Sequence, residues 1–435
     1  MVRNKILLLV VLVIGLPFPL VSQTPVPETP RRPPQIAIRA ARLLDVKDGR
    51  LINNAVVLIE GERIVAVGAG LSAPASATVI DLGDVTLLPG LIDCHTHLLA
   101  SLDSNGDYGR MLLTKSQAYR ALEGAANARK TLRAGFTAVR DVESEGSGYA
   151  DVALRDAINR GLVEGPRMKV ATRAIAAVGS YEPRGISPDL PDFPRGAQLI
   201  SGVEEARRAA REQIGNGADH LKVYADWGCC PTLTPDELRV IVEEAHKARK
   251  RVAAHAQTVD GIRNALNAGV DSIEHGNRID REMLEVMRQK GIWIVPTLSA
   301  VKRAAARVTD AEVLKRQNAM LENKQKILLA ARDMGVKIAL GYDAAEESLH
   351  GTNGSEIVAL TEAGFSNLEA IRIATLGGAE LLGWQDQIGS LEAGKFADII
   401  AVRGNPLSDI SQLKQVLFVM KGGAVKMNEV SGSVK

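Results

Sequence analysis

Two histidines one residue apart, His95 and His97, close the apolar segment Leu87-Leu88-Pro89-Gly90-Leu91-Ile92-Asp93-Cys94. Alternate side chains of a strand share a face, so both imidazoles can reach one cation. Three more short apolar segments end in groups of the same kind. His255 closes Ala253-Ala254, His275 closes Ser272-Ile273-Glu274, and Asp343 follows Leu340-Gly341-Tyr342. Lys222 sits in the equally apolar His220-Leu221-Lys222-Val223-Tyr224-Ala225-Asp226. Taken singly, a strand histidine is most simply a satisfied core residue, and Lys222 an interior lysine paired with a carboxylate. Four of the seven histidines at the same relative position in separate strands point instead to one divalent-metal site.

The elements that must position these groups alternate strands with helices. Candidate strands are 86–95, 137–141, 168–172, 221–225, 252–256, 272–275, 293–297 and 337–341, with helical stretches between them. The clearest helix signal is Thr234-Pro235-Asp236-Glu237, an N-cap, a proline at the first helical position and a capping-box glutamate. Leu238, Ile241, Val242 and Ala245 then follow at helical spacing. Such repeats predict an α/β chain, a (β/α)8 TIM barrel, whose active site lies at the carboxyl ends of the strands. Both ends of the chain read differently. Segments 36–44, 55–60, 63–67 and 78–81, and later 397–402 and 416–420, alternate or are apolar between Gly and Asn turns. They predict a small β-sandwich domain built from both termini, 36–84 plus 388–430, around a catalytic barrel over 85–387.

Composition narrows the function classes. The chain of 435 residues carries 53 basic and 51 acidic side chains, so clustered positive charge for nucleic acid is not expected. Aromatics are only 3%, which leaves the core to Val, Leu, Ile and Ala. Arg3 and Lys5 precede the apolar run Ile6–Ile14, then Gly15, Pro17, Pro19 and Ser22. This is the pattern of a signal peptide over 1–22, too short to span a membrane, and predicts export to the periplasm or medium. Residues 23–35 read as a proline-rich extended linker. The three cysteines, Cys94, Cys229 and Cys230, provide no disulfide framework. A homo-oligomer is compatible with all of this.

The segments LLPGLIDCHTHL, KVYAD, AAHAQ, SIEHG, LGYDA and GSLEAGKFADIIAV, in this order, resemble the amidohydrolase superfamily, in its imidazolonepropionase-like and Xaa-Pro-dipeptidase-like branch. The resemblance covers nearly everything after the linker. It implies that His95, His97 and Asp343 hold one divalent ion, with zinc the expected metal. It implies that His255 and His275 hold a second. Lys222, carboxylated by CO2 to N6-carboxylysine, would bridge both, because a carbamate is an anion with two oxygens. It also implies hydroxide attack on an amide carbonyl, with Asp343 as general base and acid. The substrate expected is a small molecule or short peptide: a dipeptide or N-acyl amino acid with a free carboxylate, ochratoxin-like amides included. Lactone or ester hydrolysis on the same metal pair is the alternative, and a non-catalytic scaffold the alternative of another class. Three residues are weaker substrate-binding candidates. Arg140 could clamp a carboxylate or make a strand-end ion pair. Tyr224, two residues beyond Lys222 on the same face, could bond an oxyanion or pack the mouth. His350, in the segment after Asp343, could orient substrate or Asp343. His220 and His246 read as structural or surface residues.

Overall fold

The computed structural model describes residues 35–103, 105–181, 187, 189, 193–228 and 230–430. The expected signal peptide, all but the last residue of the linker, and Cys229 lie outside the described residues. Among the described residues no helix is long and apolar enough to cross a membrane.

The two ends of the chain build one sheet. Gln35–Leu44, Leu51–Glu60 and Arg63–Ala69 form an antiparallel meander. The turn between the last two uses Gly61 at φ 60°, where a side chain would be strained. The first half of Gln35–Leu44 pairs in parallel with Thr78–Asp81, and its second half with Val85–Pro89. Ile399–Arg403, Phe418–Lys421 and Ala424–Asn428 then extend the sheet from Val85–Pro89. The eight strands are one hydrogen-bonded sheet that forks at its first strand, where a two-sheet sandwich was expected. Ile38, Val57, Ile59, Leu87, Ile399 and Phe418 fill its core.

The segment 86–95 is two strands and not one. Val85–Pro89 belongs to the terminal sheet, and Leu91–Thr96 starts the catalytic unit. Gly90 makes the break, and a Cβ there would lie 2.8 Å from Thr137 Cβ. Leu91–Thr96, Phe136–Asp141 and Arg167–Val170 pair in parallel. His220–Tyr224, Arg251–Ala256, Ser272–His275 and Trp293–Val295 form a second parallel run. Asp219 N–H donates to Val170 O at 2.8 Å, joining the two runs. At the other side Ile338 bridges Ile294, and Cys94 N–H donates to Leu340 O at 2.7 Å. The expected strand 337–341 therefore contributes isolated bonds, not a regular ladder. The architecture is TIM-barrel-like α/β.

Helices connect these strands, and their ends follow local chemistry. Pro235–Lys247 begins at the expected capping box of Thr234 and Glu237 and buries Leu238, Ile241, Val242 and Ala245. Ala311–Met334 starts at Asp310, whose carboxylate caps Val313 N–H, and ends at Gly335 in the left-handed region. Lys324 is among the few residues that this 24-residue helix buries.

Candidate active site

The strand ends bring five of the expected groups together. His95 Nε2 and His97 Nε2 lie 3.7 and 3.3 Å from Asp343 Oδ1, and His275 Nδ1 lies 3.9 Å from Asp343 Oδ2. The His95 ring is centred 4.9 Å from that of His275, which is 4.6 Å from that of His255. Together with Lys222 they line a cavity of about 650 Å³. Backbone conformation is special here: His275, Thr297 and Asp343 adopt φ of 68°, 48° and 61°. Non-glycine residues reach this region at a cost, and such residues gather at functional sites. Arg303 helps hold the last of them, donating from Nη2 to Tyr342 O at 3.1 Å and to Asp343 O at 2.8 Å.

Three of the four ligand-type histidines face a second group through Nδ1. His95 Nδ1 lies 2.7 Å from Glu274 Oε2, and His97 Nδ1 lies 2.6 Å from Glu145 Oε1. His275 Nδ1 lies 2.8 Å from Thr297 Oγ1. The Glu274–His95 hydrogen bond fixes that ring and leaves Nε2 for a metal, while Glu145 faces His97 as an ion-pair contact and the Thr297 hydroxyl faces His275. Asp93 ties the first strand to the last, since its Oδ1 accepts from His95 N–H at 3.0 Å and Tyr342 N–H at 3.1 Å. Asn353 donates to its Oδ2 at 2.8 Å.

The electrostatics suit a cation. Burial lowers His255 and His275 well below the usual histidine range, and burial with the Lys222 charge brings His95 down to about 4. These rings are neutral at pH 7, the form that binds metal. Burial would lower His97 too, but the Glu145 and Asp343 carboxylates beside it hold it well above the usual range. Burial lowers Lys222, which is 1% exposed. Among the described residues no carboxylate oxygen lies within 4.0 Å of its Nζ. The paired interior lysine is therefore not what the structure contains. Four neutralisable imidazoles, a carboxylate and an unpaired buried amine fit a divalent-metal centre.

Two expected substrate contacts are elsewhere. Arg140 points into the barrel interior, donating from Nε to Cys94 O (2.7 Å), Nη1 to Ser272 Oγ (3.0 Å) and Nη2 to Glu274 Oε1 (2.7 Å). All three of its nitrogens are already hydrogen-bonded, and it is buried and absent from the cavity lining, so it does not clamp a substrate carboxylate. Strand alternation placed it on the inner face below the mouth. His350 lies behind the cavity, with Nε2 2.8 Å from Ala100 O. Tyr224 does line the cavity, and its hydroxyl donates to Glu143 Oε2 at 2.6 Å. His220 is buried, and His246 is a surface residue 2.9 Å from Asp271.

Sequence reasoning missed Glu143, Glu145, Tyr108, Tyr181, Gln257 and Asn277. Tyr108 and Tyr181 donate to Glu145 Oε2 at 2.6 and 3.0 Å, and Tyr181 stacks on Tyr224 with centroids 4.1 Å apart. The acidic alternation Asp141-Val142-Glu143-Ser144-Glu145 after a strand end was the available signal for the first two.

Residues 86–426 match the amidohydrolase family. The chain belongs to that family. It is 33% identical to ochratoxinase of Aspergillus niger over 430 residues, covering 89% of this chain and 86% of that one. Among solved structures it is similar to a Xaa-Pro dipeptidase with bound methionine in the active site (TM-score 0.81, 33% identity, 90% of this chain, 99% of that one). It is also similar to a prolidase complexed with N-methylphosphonate-L-proline (TM-score 0.79, 32% identity, 90% and 99%). This amidohydrolase therefore carries its histidines, Lys222 and Asp343 on a hydrolase scaffold.

Proposed function

We propose that this amidohydrolase is a metal-dependent enzyme that cleaves the C–N bond of dipeptides or N-acyl amino acids. Lys222 carries the reading: a buried amine without a carboxylate partner, set among four histidines and an aspartate. The names of its relatives, a dipeptidase, a prolidase and an ochratoxinase, support the substrate class.

His95, His97 and Asp343 would hold one ion, His255 and His275 a second, and Lys222 would join the two as a carbamate. The lowered proton affinity of Lys222 favours the neutral amine, which forms an N–C bond to CO2 and loses one proton to solvent. Divalent ions, with zinc expected, supply Lewis acidity and a water of lowered pKa when bound. The chain does the rest. Asp343 is held ionised, well below the usual carboxylate range, chiefly by the His97 hydrogen bond and the neighbouring imidazoles against the effect of burial. It takes the proton of the attacking water and returns it to the leaving nitrogen. Glu274, Glu145 and Thr297 keep the imidazoles aimed, and the aromatic wall of Tyr181, Tyr224 and Trp227 flanks the acyl group.

Elemental analysis should find close to two divalent ions per chain, and a chelator should abolish hydrolysis. Lys222→Ala should lose most metal and activity, because both ions lose their shared ligand. Full metal content and turnover in that variant would overturn the carbamate. A screen in which esters or lactones turn over and no amide does would overturn the substrate class.

A further inference from the structure

Behind the cavity wall lies a lysine that this chemistry leaves unused. Lys324 is 2% exposed. On its helix Gln317 and Met320 line the cavity, and positions 317, 320 and 324 share one helix face. Gln317 Oε1 is buried and has no hydrogen-bond partner among the described residues. Among the described residues no carboxylate oxygen lies within 4.0 Å of Lys324 Nζ either. Its hydrogen bond goes to Asn277 Oδ1 at 2.7 Å. Burial brings Lys324 down to about 7 against the more distant Glu356 and Asp343 carboxylates, so it is only part-charged at neutral pH, and an anion brought beside it would hold it as the ammonium.

Lys324 also dictates what the wall offers. An ammonium only donates, so Asn277 must turn Oδ1 toward it and Nδ2 away. Asn277 Nδ2 then donates to Gln257 Oε1 at 2.8 Å, which leaves Gln257 Nε2 facing His255 Nε2 at 3.2 Å. Both amide oxygens are consumed; with a metal on His255 that ring accepts nothing from Gln257, so the Gln257 NH2 keeps both hydrogens and the Asn277 NH2 keeps one for a ligand. The root of Gln257 is fixed as well, since its backbone N–H donates to Asp226 Oδ2 at 2.8 Å. Gln257 and Asn277 both line the cavity, and no arginine does among the described residues. The N–H donors of Gln257 and Asn277, with the Lys324 charge behind them, suit a carboxylate, while the unpartnered Gln317 Oε1 on the same wall suits an N–H or O–H of the ligand.

We propose that Gln257, Asn277 and Lys324 form the subsite for the free α-carboxylate of the amino-acid part of the substrate. The substrate class rests on the amide-hydrolase reading. Lys324 acts through Asn277, as a positioning residue and as the source of charge.

Two readouts test it on metal-matched samples of the parent, Lys324→Met and Lys324→Arg. For turnover, N-acetyl-L-methionine is compared with N-acetyl-L-methioninamide. The acid-over-amide ratio of kcat/KM should fall about tenfold to a hundredfold in Lys324→Met, mostly in KM, and recover in part in Lys324→Arg. Equal losses on both substrates would overturn the subsite. For binding, the thermal shifts given by L-methionine and L-methioninamide are compared. The parent should be stabilised more by the acid, and Lys324→Met should lose the difference. A parent without acid preference in binding overturns the subsite whatever the hydrolysis screen shows. A parent that prefers the acid yet cleaves neither acyl compound supports the subsite and overturns the amide-hydrolase reading.

Discussion

Replacing Glu274 by glutamine separates the tasks of one buried carboxylate. Its Oε2 lies 2.7 Å from His95 Nδ1, while its Oε1 accepts from Arg140 Nη2 at 2.7 Å and from Ser272 Oγ at 2.5 Å. Glutamine has one acceptor oxygen and one NH2. Whichever way it turns, the NH2 meets a donor, either His95 Nδ1–H or Arg140 Nη2–H. Two losses follow. His95 is no longer held in one tautomer, so metal affinity should fall about tenfold to a hundredfold, on the order of 1.4–2.7 kcal/mol. Arg140 is left buried without its counter-charge, which should cost the metal-free protein about 3–5 kcal/mol. The native Glu274 carboxyl is held far below its ordinary 4.5, by Arg140 and His95 against burial. A depressed carboxylate contributes stability that is complete above its unfolded pKa and lost only as pH falls through its folded one, so measurements at pH 7 read the whole loss. Zinc titration against a chromophoric chelator gives the first quantity, and urea unfolding of metal-free protein the second. Adding Arg140→Met to Glu274→Gln removes the competing donor and frees the amide oxygen to accept from His95 Nδ1–H, so stability should be restored and the affinity should recover in part. Parent-like zinc affinity together with unchanged urea stability would refute the role assigned to the Arg140–Glu274–His95 chain.

Gly341→Ala places a Cβ 2.6 Å from His95 Cβ and against Val295, so overpacking should cost about 1–3 kcal/mol and displace His95, seen as a lower Tm and weaker metal binding. Burial pushes Lys324 from 10.5 down to about 7, and between those values the unfolded chain binds a proton that the folded one lacks. Stability should therefore rise with pH across that window, and Lys324→Met should abolish the slope and raise the Tm at pH 7, as urea melts at several pH values would show. Asp343→Asn should keep part of the metal while lowering kcat at least about a hundredfold, and a loss in KM alone would remove Asp343 from proton transfer.

The sequence alone determined whatever depends on near neighbours. The alternation of His95 and His97 follows from strand geometry, and the helix start at Thr234-Pro235-Asp236-Glu237 from capping. His255 and His275 lie at strand ends, Lys222 lies mid-strand in His220–Tyr224 and Asp343 follows an irregular segment, yet all four line one cavity. Tertiary structure decided what depends on partners far along the chain. Arg140 reads equally well as a mouth residue or an interior one until Glu274, 134 positions away, claims it. One apolar run becomes two strands because Val85–Pro89 pairs with Ile399–Arg403 and Leu91–Thr96 with Phe136–Asp141, and Thr137 leaves no room for a side chain at Gly90 between them. Lys324 reads as one more charged residue on a polar helix; burial against Asn277, 47 positions earlier, makes it part of the cavity wall. Local propensity reports how a segment bends and which face is apolar. It cannot report which donor will meet which acceptor when distant segments pack, and that meeting sets the role of each buried charge here.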